Sequence, residues 1–250
     1  MRLHLKMEGE SRLPTLAFSN SLGASLHIWD EVVPLLTPHF RILRYDTRGM
    51  AQTEVTPGLY TIDQLGQDFL GMLDEQGVEK VHFCGLSMGG LIGQWMGLHA
   101  PERIHQLVLS NTAAKIGTEN RWNARIRFIQ RKGLEAIWEG TQEVWFRENY
   151  LQQHKQKLGA IKKMFLQNKV EGYVACCAAI RDADFREKLP YIPLPTLIIA
   201  GEEDTATTVK EAIFMKEKIP NSELVVLAAR HISCIEQPEA FANTLINFLT

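Results

Sequence analysis

Cysteine is scarce in this 250-residue chain, which holds four, at positions 84, 176, 177 and 234. None falls in a C-x-x-C pair, and the adjacent Cys176 and Cys177 make poor partners for each other. Neither a zinc site nor a disulfide framework is therefore expected. Long apolar runs are missing too, so no transmembrane segment is read. The opening residues MRLHLKMEGESRLP alternate apolar and polar side chains. They lack a basic start and an apolar stretch of roughly 7 to 15 residues, and they read as a strand rather than a signal peptide. A cytoplasmic location is the expectation. No repeat, low-complexity tract or Gly/Ser/Pro-rich linker divides the chain. The net charge is only -2, which argues against nucleic acid or an acidic membrane as a partner.

What the chain does have is an ordinary globular composition, 45% apolar and 22% charged, at a length that supports one large core with or without an insert. Short apolar runs at 15-TLAFS-19, 41-RILRY-45, 80-KVHFCG-85 and 104-IHQLVLS-110 alternate with helix-like segments. In 61-TIDQLGQDFLGMLDEQG-77, residues Ile62, Leu65, Phe69, Met72 and Leu73 share one helical face, with Thr61 and Gln64 as a capping box and Gly77 as a stop. Strand, helix, strand in this order predicts parallel pairing through right-handed crossovers, and near-continuous apolar strands predict burial on both faces. The class is α/β. From residue 111 to 189 no good strand appears, only helix-like material such as 120-NRWNARIRFIQRK-132 and 171-EGYVACCAAIRDADF-185. Alternation resumes with 195-PTLIIAG-201, a helix near 208–219, 223-ELVVLAA-229 and a closing helix 237–249. The predicted organisation is a core of residues 1–110 and 190–250 interrupted by a helical insert, 111–189.

The sequence CGLSMGG places Ser87 between Gly85 and Gly89. A G-x-S-x-G window arises by chance in about one chain in ten of this length, so position decides its meaning. Ser87 follows a buried strand and precedes a helix, the place of a nucleophile elbow, where flanking glycines avoid clashes and the helix N-terminus offers backbone donors. The competing reading is a serine that caps the helix. A serine nucleophile needs a base and an orienting acid. Of eight histidines, His231 stands between the last strand and the last helix, at the carboxyl edge of the sheet where open α/β folds place their sites. His82 lies inside a strand and reads as a packed histidine; His39, His99, His105 and His154 fit helix ends or surfaces. At the same edge, 201-GEEDTATT-208 offers Glu202, Glu203 and Asp204 as acids. An oxyanion hole would combine the amide of Met88 with one from the loop 18-FSNSLG-23, by position that of Ser21.

Over nearly its whole length the chain resembles the α/β-hydrolase superfamily, and within it the 3-oxoadipate enol-lactone hydrolases. The segments that carry the resemblance are FSNSLG, LRYDTRG, HFCGLSMGGLIGQW, LSNTAAKIGT, RWNARI, EGYVACCAAIRD and IEQPEAF. The resemblance implies the α/β-hydrolase fold with residues 111–189 as a cap. It also implies a Ser87, Asp204, His231 triad and hydrolysis of a small unsaturated lactone bearing an acetate group, with no cofactor. Three departures stand out. Relatives continue RGHG where this chain has Met50 and Ala51, so the loop beside the oxyanion segment is expected to be shaped differently. Thr205 replaces a proline common after the acid, and Arg230 precedes His231.

The insert holds 15 Lys/Arg against 9 Asp/Glu, net +6, whereas the remainder is net -8. Such a field would concentrate anions at the cleft. The substrate-binding candidates are Arg121 and Arg125, one helical turn apart, with Trp122, Trp138 and Trp145 as apolar walls. Each can also be read as a solvated face or a core tryptophan. A small anionic lactone is the expected partner; oligomeric state is not set by the sequence. Rival readings on the same scaffold are a general carboxylesterase, a carbon-carbon bond hydrolase, a perhydrolase, or a non-catalytic small-molecule receptor. An epoxide hydrolase or dehalogenase would want Asp at the elbow.

Overall fold

The computed structural model describes residues 1–250. Seven strands, β1 (Leu5–Glu8), β2 (Thr15–Ser19), β3 (Arg41–Tyr45), β4 (Val81–Leu86), β5 (Ile104–Ser110), β6 (Thr196–Gly201) and β7 (Ser222–Leu227), form one sheet in the order β1-β3-β2-β4-β5-β6-β7. Only β1 runs antiparallel, against β3; every other pairing is parallel. Parallel neighbours need crossover connections. In the first half α1 (Val33–Leu36), α2 (Ile62–Glu75) and α3 (Met88–His99) lie in them. Five helices, α4 (Glu119–Lys132), α5 (Trp138–Trp145), α6 (Glu148–Gln153), α7 (Lys155–Leu166) and α8 (Val170–Asp182), lie between β5 and β6. The chain closes with α9 (Val209–Lys218), α10 (Ser233–Glu236) and α11 (Pro238–Leu249). No helix is long and apolar enough to cross a membrane.

β4 and β6 are buried at every residue, which requires cover on both faces of the sheet. Successive side chains of a strand point to opposite faces. On one face the Phe83 ring meets Phe69 of α2 edge-on at 4.9 Å. On the other, the neighbour Cys84 pairs in register with Phe18, whose ring lies 4.3 Å from Trp29, and Trp29 adjoins Phe241 of α11 at 6.1 Å. α2 and α3 thus cover one face and α11 the other.

Helix ends follow local capping chemistry, with two corrections to the sequence reading. Thr61 caps α2 by accepting from the Gln64 amide at 3.1 Å, but no reciprocal bond from the Gln64 side chain closes a box. The full box forms on α9, where Thr208 caps and its amide donates to Glu211 at 2.6 Å. α8 ends at Asp182, short of the predicted 185, because the backbone turns extended at Ala183 and the Phe185 amide pairs with the Ala114 carbonyl at 2.8 Å.

His82 sits at the amino end of β4, far from the carboxyl edge. It is buried, edge-on to Phe40 and 5.2 Å from the His105 ring, with Nδ1 unpartnered. Burial, with His105 adding to it, pushes its pKa down to about 4. An unfolded histidine ionises near ~6.5, so the unfolded chain binds this proton more readily. Stability should therefore fall as pH drops from about 6.5 to about 4, by roughly 2 kcal/mol from this residue. Urea midpoints at neutral and acid pH should converge in His82→Phe relative to the parent; an unchanged slope would contradict the assignment.

Candidate active site

β4 ends at Leu86 and α3 begins at Met88, so the chain reverses in one residue. That residue, Ser87, has φ 57° and ψ -111°, a region that costs a non-glycine residue on the order of 1–3 kcal/mol. Hydrogen bonds hold it there. The Ser87 amide donates to the Ser110 carbonyl at 3.0 Å. The Ser87 carbonyl accepts from Thr112 Oγ1 at 2.8 Å and from the amides of Gly90 and Leu91. The turn also needs its glycines. A Cβ on Gly85 would lie 2.1 Å from the Gly89 carbonyl oxygen, and one on Gly89 would lie 2.2 Å from that of Ser19. The Ser87 hydroxyl makes no capping bond to α3, so the helix-cap reading of this serine fails.

The loop after β6 carries three acids, and burial separates them. Glu202 and Glu203 are exposed, whereas Asp204 is buried. Its Oδ1 accepts from the amides of Ala206 and Thr207 at 2.8 and 3.1 Å. Its Oδ2 accepts from Thr207 Oγ1 at 2.8 Å, Asn111 Nδ2 at 3.2 Å and His231 Nδ1 at 2.8 Å. Burial alone would raise this carboxyl; the charge and hydrogen bond of His231, with the Thr207 donors, hold it at about 2 instead. An ionised carboxylate only accepts, so Nδ1 of His231 carries a hydrogen and donates it to Asp204. Ser87 and His231 line one cleft, and no other histidine does.

Backbone amides without acceptors lie at and beside the cleft. Those of Ser21 and Leu22, which both line it, have no acceptor in the protein, and Met88 opens α3, where N–H groups have no intrahelical partner. The Ser21 loop is fixed by Asn20, whose Nδ2 donates to the Tyr45 carbonyl and whose Oδ1 accepts from Trp29 Nε1, both at 2.7 Å. The Asn20 carbonyl accepts from the Gly89 amide at 3.1 Å. Position in the sequence pointed to Ser21 alone; Leu22 is an addition.

The far wall comes from the insert. Arg121, Trp122 and Arg125 of α4 and Trp145 of α5 all line the cleft with Ser87 and His231. Trp138 does not; it packs behind Trp145 and against Phe165, at 6.2 and 5.5 Å between ring centres. The sequence reading missed Tyr173 and Thr141, which also line the cleft. Arg125 Nη2 donates to Tyr173 Oη at 2.7 Å and to Thr141 Oγ1 at 3.3 Å, while its buried Nε has no partner. Burial opposes the Arg125 charge, but the Tyr173 oxygen more than compensates and its pKa is raised. This wall is tied to the His231 side. The Ile232 amide donates to the Trp145 carbonyl at 3.1 Å, and buried Glu236 accepts from the amides of Arg147 and Arg230.

Met50 and Ala51 are not among the residues that line the cleft. Met50 is buried in the core. Ala51, at φ 45°, donates its amide to Asn168 Oδ1 at 2.9 Å, and Asn168 Nδ2 donates to the Gly23 carbonyl at 2.8 Å. That asparagine links the loop to the Ser21 segment. Cys234 is also turned away, with Sγ 3.7 Å from the Ile28 carbonyl. No group of three or more His, Cys, Asp or Glu side chains is arranged to hold a metal ion.

A family model for the alpha/beta hydrolase fold matches residues 14–136. The chain is 40% identical to 3-oxoadipate enol-lactonase 2 of Acinetobacter baylyi, over 93% of this chain and 87% of that protein. The crystal structure of the enol-lactonase from Burkholderia xenovorans superposes with a TM-score of 0.97 at 38% identity, covering 99% of this chain and 96% of that one. A hydrolase from Pseudomonas aeruginosa gives 0.95 at 40% identity, covering 98% and 93%.

The left-handed backbone at Ala51 strains a residue with a Cβ by about 1–2 kcal/mol, against which glycine loses about 0.5–1 kcal/mol through unfolded-state entropy. Ala51→Gly should therefore raise the melting temperature by roughly 1 to 3 °C. A lower melting temperature by calorimetry would contradict this.

Proposed function

The chain belongs to the 3-oxoadipate enol-lactonases of the α/β-hydrolase superfamily, and it is a carboxylic ester hydrolase; we propose that it opens 3-oxoadipate enol-lactone to 3-oxoadipate with a Ser87, His231, Asp204 triad through an acyl-enzyme. Its place would be the β-ketoadipate route of aromatic catabolism, in the cytoplasm. The observation that carries the reading is the 2.8 Å pair of His231 and Asp204, which opens on the cleft that also holds Ser87 and Arg125.

In this reading His231 Nε2 removes the Ser87 proton as the hydroxyl oxygen attacks the lactone carbonyl. The amides of Ser21 and Met88 receive the oxyanion, each worth about 3 kcal/mol of transition-state stabilisation. Collapse of the tetrahedral intermediate breaks the ring C–O bond. The departing enol oxygen, a better leaving group than an alkoxide, takes the proton from His231. Water activated by His231 then releases the acyl group, and ketonisation of the enol draws the reaction forward. Asp204, ionised across the neutral range, keeps the imidazole in the tautomer this sequence needs.

Residues 111–189 act as the cap, and their net charge of +6 favours an anionic substrate. Arg125 holds the acetate carboxylate by charge-assisted hydrogen bonds, with Arg121 at the rim and Trp122 and Trp145 against the apolar ring. The guanidinium is already aimed by Tyr173 and Thr141, so little side-chain freedom is lost on binding.

Ser87→Ala should reduce kcat by roughly four or more orders of magnitude, since triad members act as a unit; loss of the enol-lactone's ultraviolet absorbance measures it, and a small effect would mean a different nucleophile. Arg125→Ala should raise KM for the enol-lactone by about 10- to 100-fold but KM for a neutral aryl ester by no more than about threefold. Equal changes for both substrates would remove Arg125 from carboxylate recognition and favour a general carboxylesterase.

A further inference from the structure

The tripeptide Ser110-Asn111-Thr112 ends β5 at the carboxyl edge of the sheet and meets the loops of all three proposed triad residues. The Ser110 carbonyl accepts the Ser87 amide at 3.0 Å, and Thr112 Oγ1 donates to the Ser87 carbonyl at 2.8 Å. Asn111 between them is buried and takes a left-handed φ of 43°. Its amide donates to the Ile199 carbonyl of β6 at 2.7 Å.

The Asn111 carboxamide uses all of its hydrogen-bonding capacity. Nδ2 donates to Asp204 Oδ2 at 3.2 Å and to the Arg230 carbonyl at 3.0 Å. Oδ1 accepts from Ser110 Oγ at 3.0 Å and from Ser233 Oγ at 2.6 Å. A carboxylate and a carbonyl have no hydrogen to give, so the nitrogen must face them and the orientation of the amide is forced. A left-handed turn by itself would be served as well by glycine. The four side-chain bonds call for a further role.

The geometry points to Asn111 as a positioning residue for the hydrolysis: its carboxamide ties the Asp204 and His231 loops to the end of β5 and shares the Asp204 oxygen to which His231 donates. This rests on the triad reading and acts through Asp204; Asn111 touches no substrate. A hydrogen bond to a carboxylate favours its charged form. The carboxamide does this as a neutral donor, adding no charge beside the imidazole. The charged groups around the pair are Glu203 on the Asp204 loop, Arg230 and Glu236 beside His231, Arg147 from the insert, and Arg121 and Arg125 across the cleft. None of their side chains bonds to either Asp204 oxygen or to the His231 ring.

Asn111→Asp keeps the shape and the tolerance for a left-handed turn, but sets an acceptor against Asp204. Asn111→Gly keeps the backbone and removes the carboxamide. With enol-lactone as substrate, Asn111→Asp should lower kcat by about 10- to 100-fold with KM within about threefold, and should move the acid limb of kcat/KM upward by about one pH unit. Asn111→Gly should lower kcat about tenfold without that upward displacement. If Asn111→Asp does not fold, Asn111→Gly decides by its kcat alone. Turnover within twofold of the parent and an unmoved acid limb in the folded variants, or a change confined to KM, overturns the proposal. Ser87→Ala assayed alongside separates the two claims. Retained turnover there would sink the triad itself, whereas its loss beside unaffected Asn111 variants sinks only the role of Asn111.

Discussion

Everything at the carboxyl edge of this sheet depends on how closely the start of α3 approaches the ends of β2 and β4. There is no room for a methyl group at Gly89 against the Ser19 carbonyl, or at Gly85 against the Gly89 carbonyl. This approach lets the Asn20 carbonyl take the Gly89 amide and brings the Ser21 loop beside the first turn of α3. It also forces Ser87 into a left-handed turn that the chain would not adopt alone. The cost of that turn is offset by the bonds from Ser110 and Thr112, so strand β5 stabilises the conformation of a residue that follows β4.

Two structural units divide the work. The His231–Asp204 pair, Ser87 and the free amides all stand at strand ends, where the rigid sheet fixes their spacing. The walls that would select a substrate stand on helices of the insert, with Arg125 braced by Tyr173 and Thr141. The units are joined on the His231 side, where Glu236 and the Trp145 carbonyl bind backbone flanking that histidine. A relative on this fold could change its insert residues, and with them its substrate, without disturbing the strand-end loops.

Much of the fold was legible because a parallel sheet covered on both faces leaves short, near-continuous apolar runs, and six such runs coincide with β2 to β7 to within two residues. The elbow was legible because its glycines are a steric necessity. Asp204 could be singled out from Glu202 and Glu203 only by resemblance, since the difference between them is burial depth. Tyr173 reads as one more apolar position on a helix; its bond to Arg125 joins residues 48 apart. Asn111 gave no signal of its own, because its partners lie up to 122 positions away. Trp138 and Trp145 end the same helix and both are buried, and only the docking of the insert decides which one meets the cleft. Ala51 is joined to the Ser21 segment through Asn168, 117 positions away, a link that no local pattern announces.

The central claim is that Ser87 is the nucleophile. An alkyl fluorophosphonate reacts covalently with activated serines, and peptide mass spectrometry of the treated protein locates the adduct. The account predicts one adduct, on the peptide containing Ser87, formed in proportion to the loss of enol-lactone hydrolysis and absent from Ser87→Ala. Full activity in protein quantitatively modified at Ser87, or inactivation with the adduct on another residue, would contradict it.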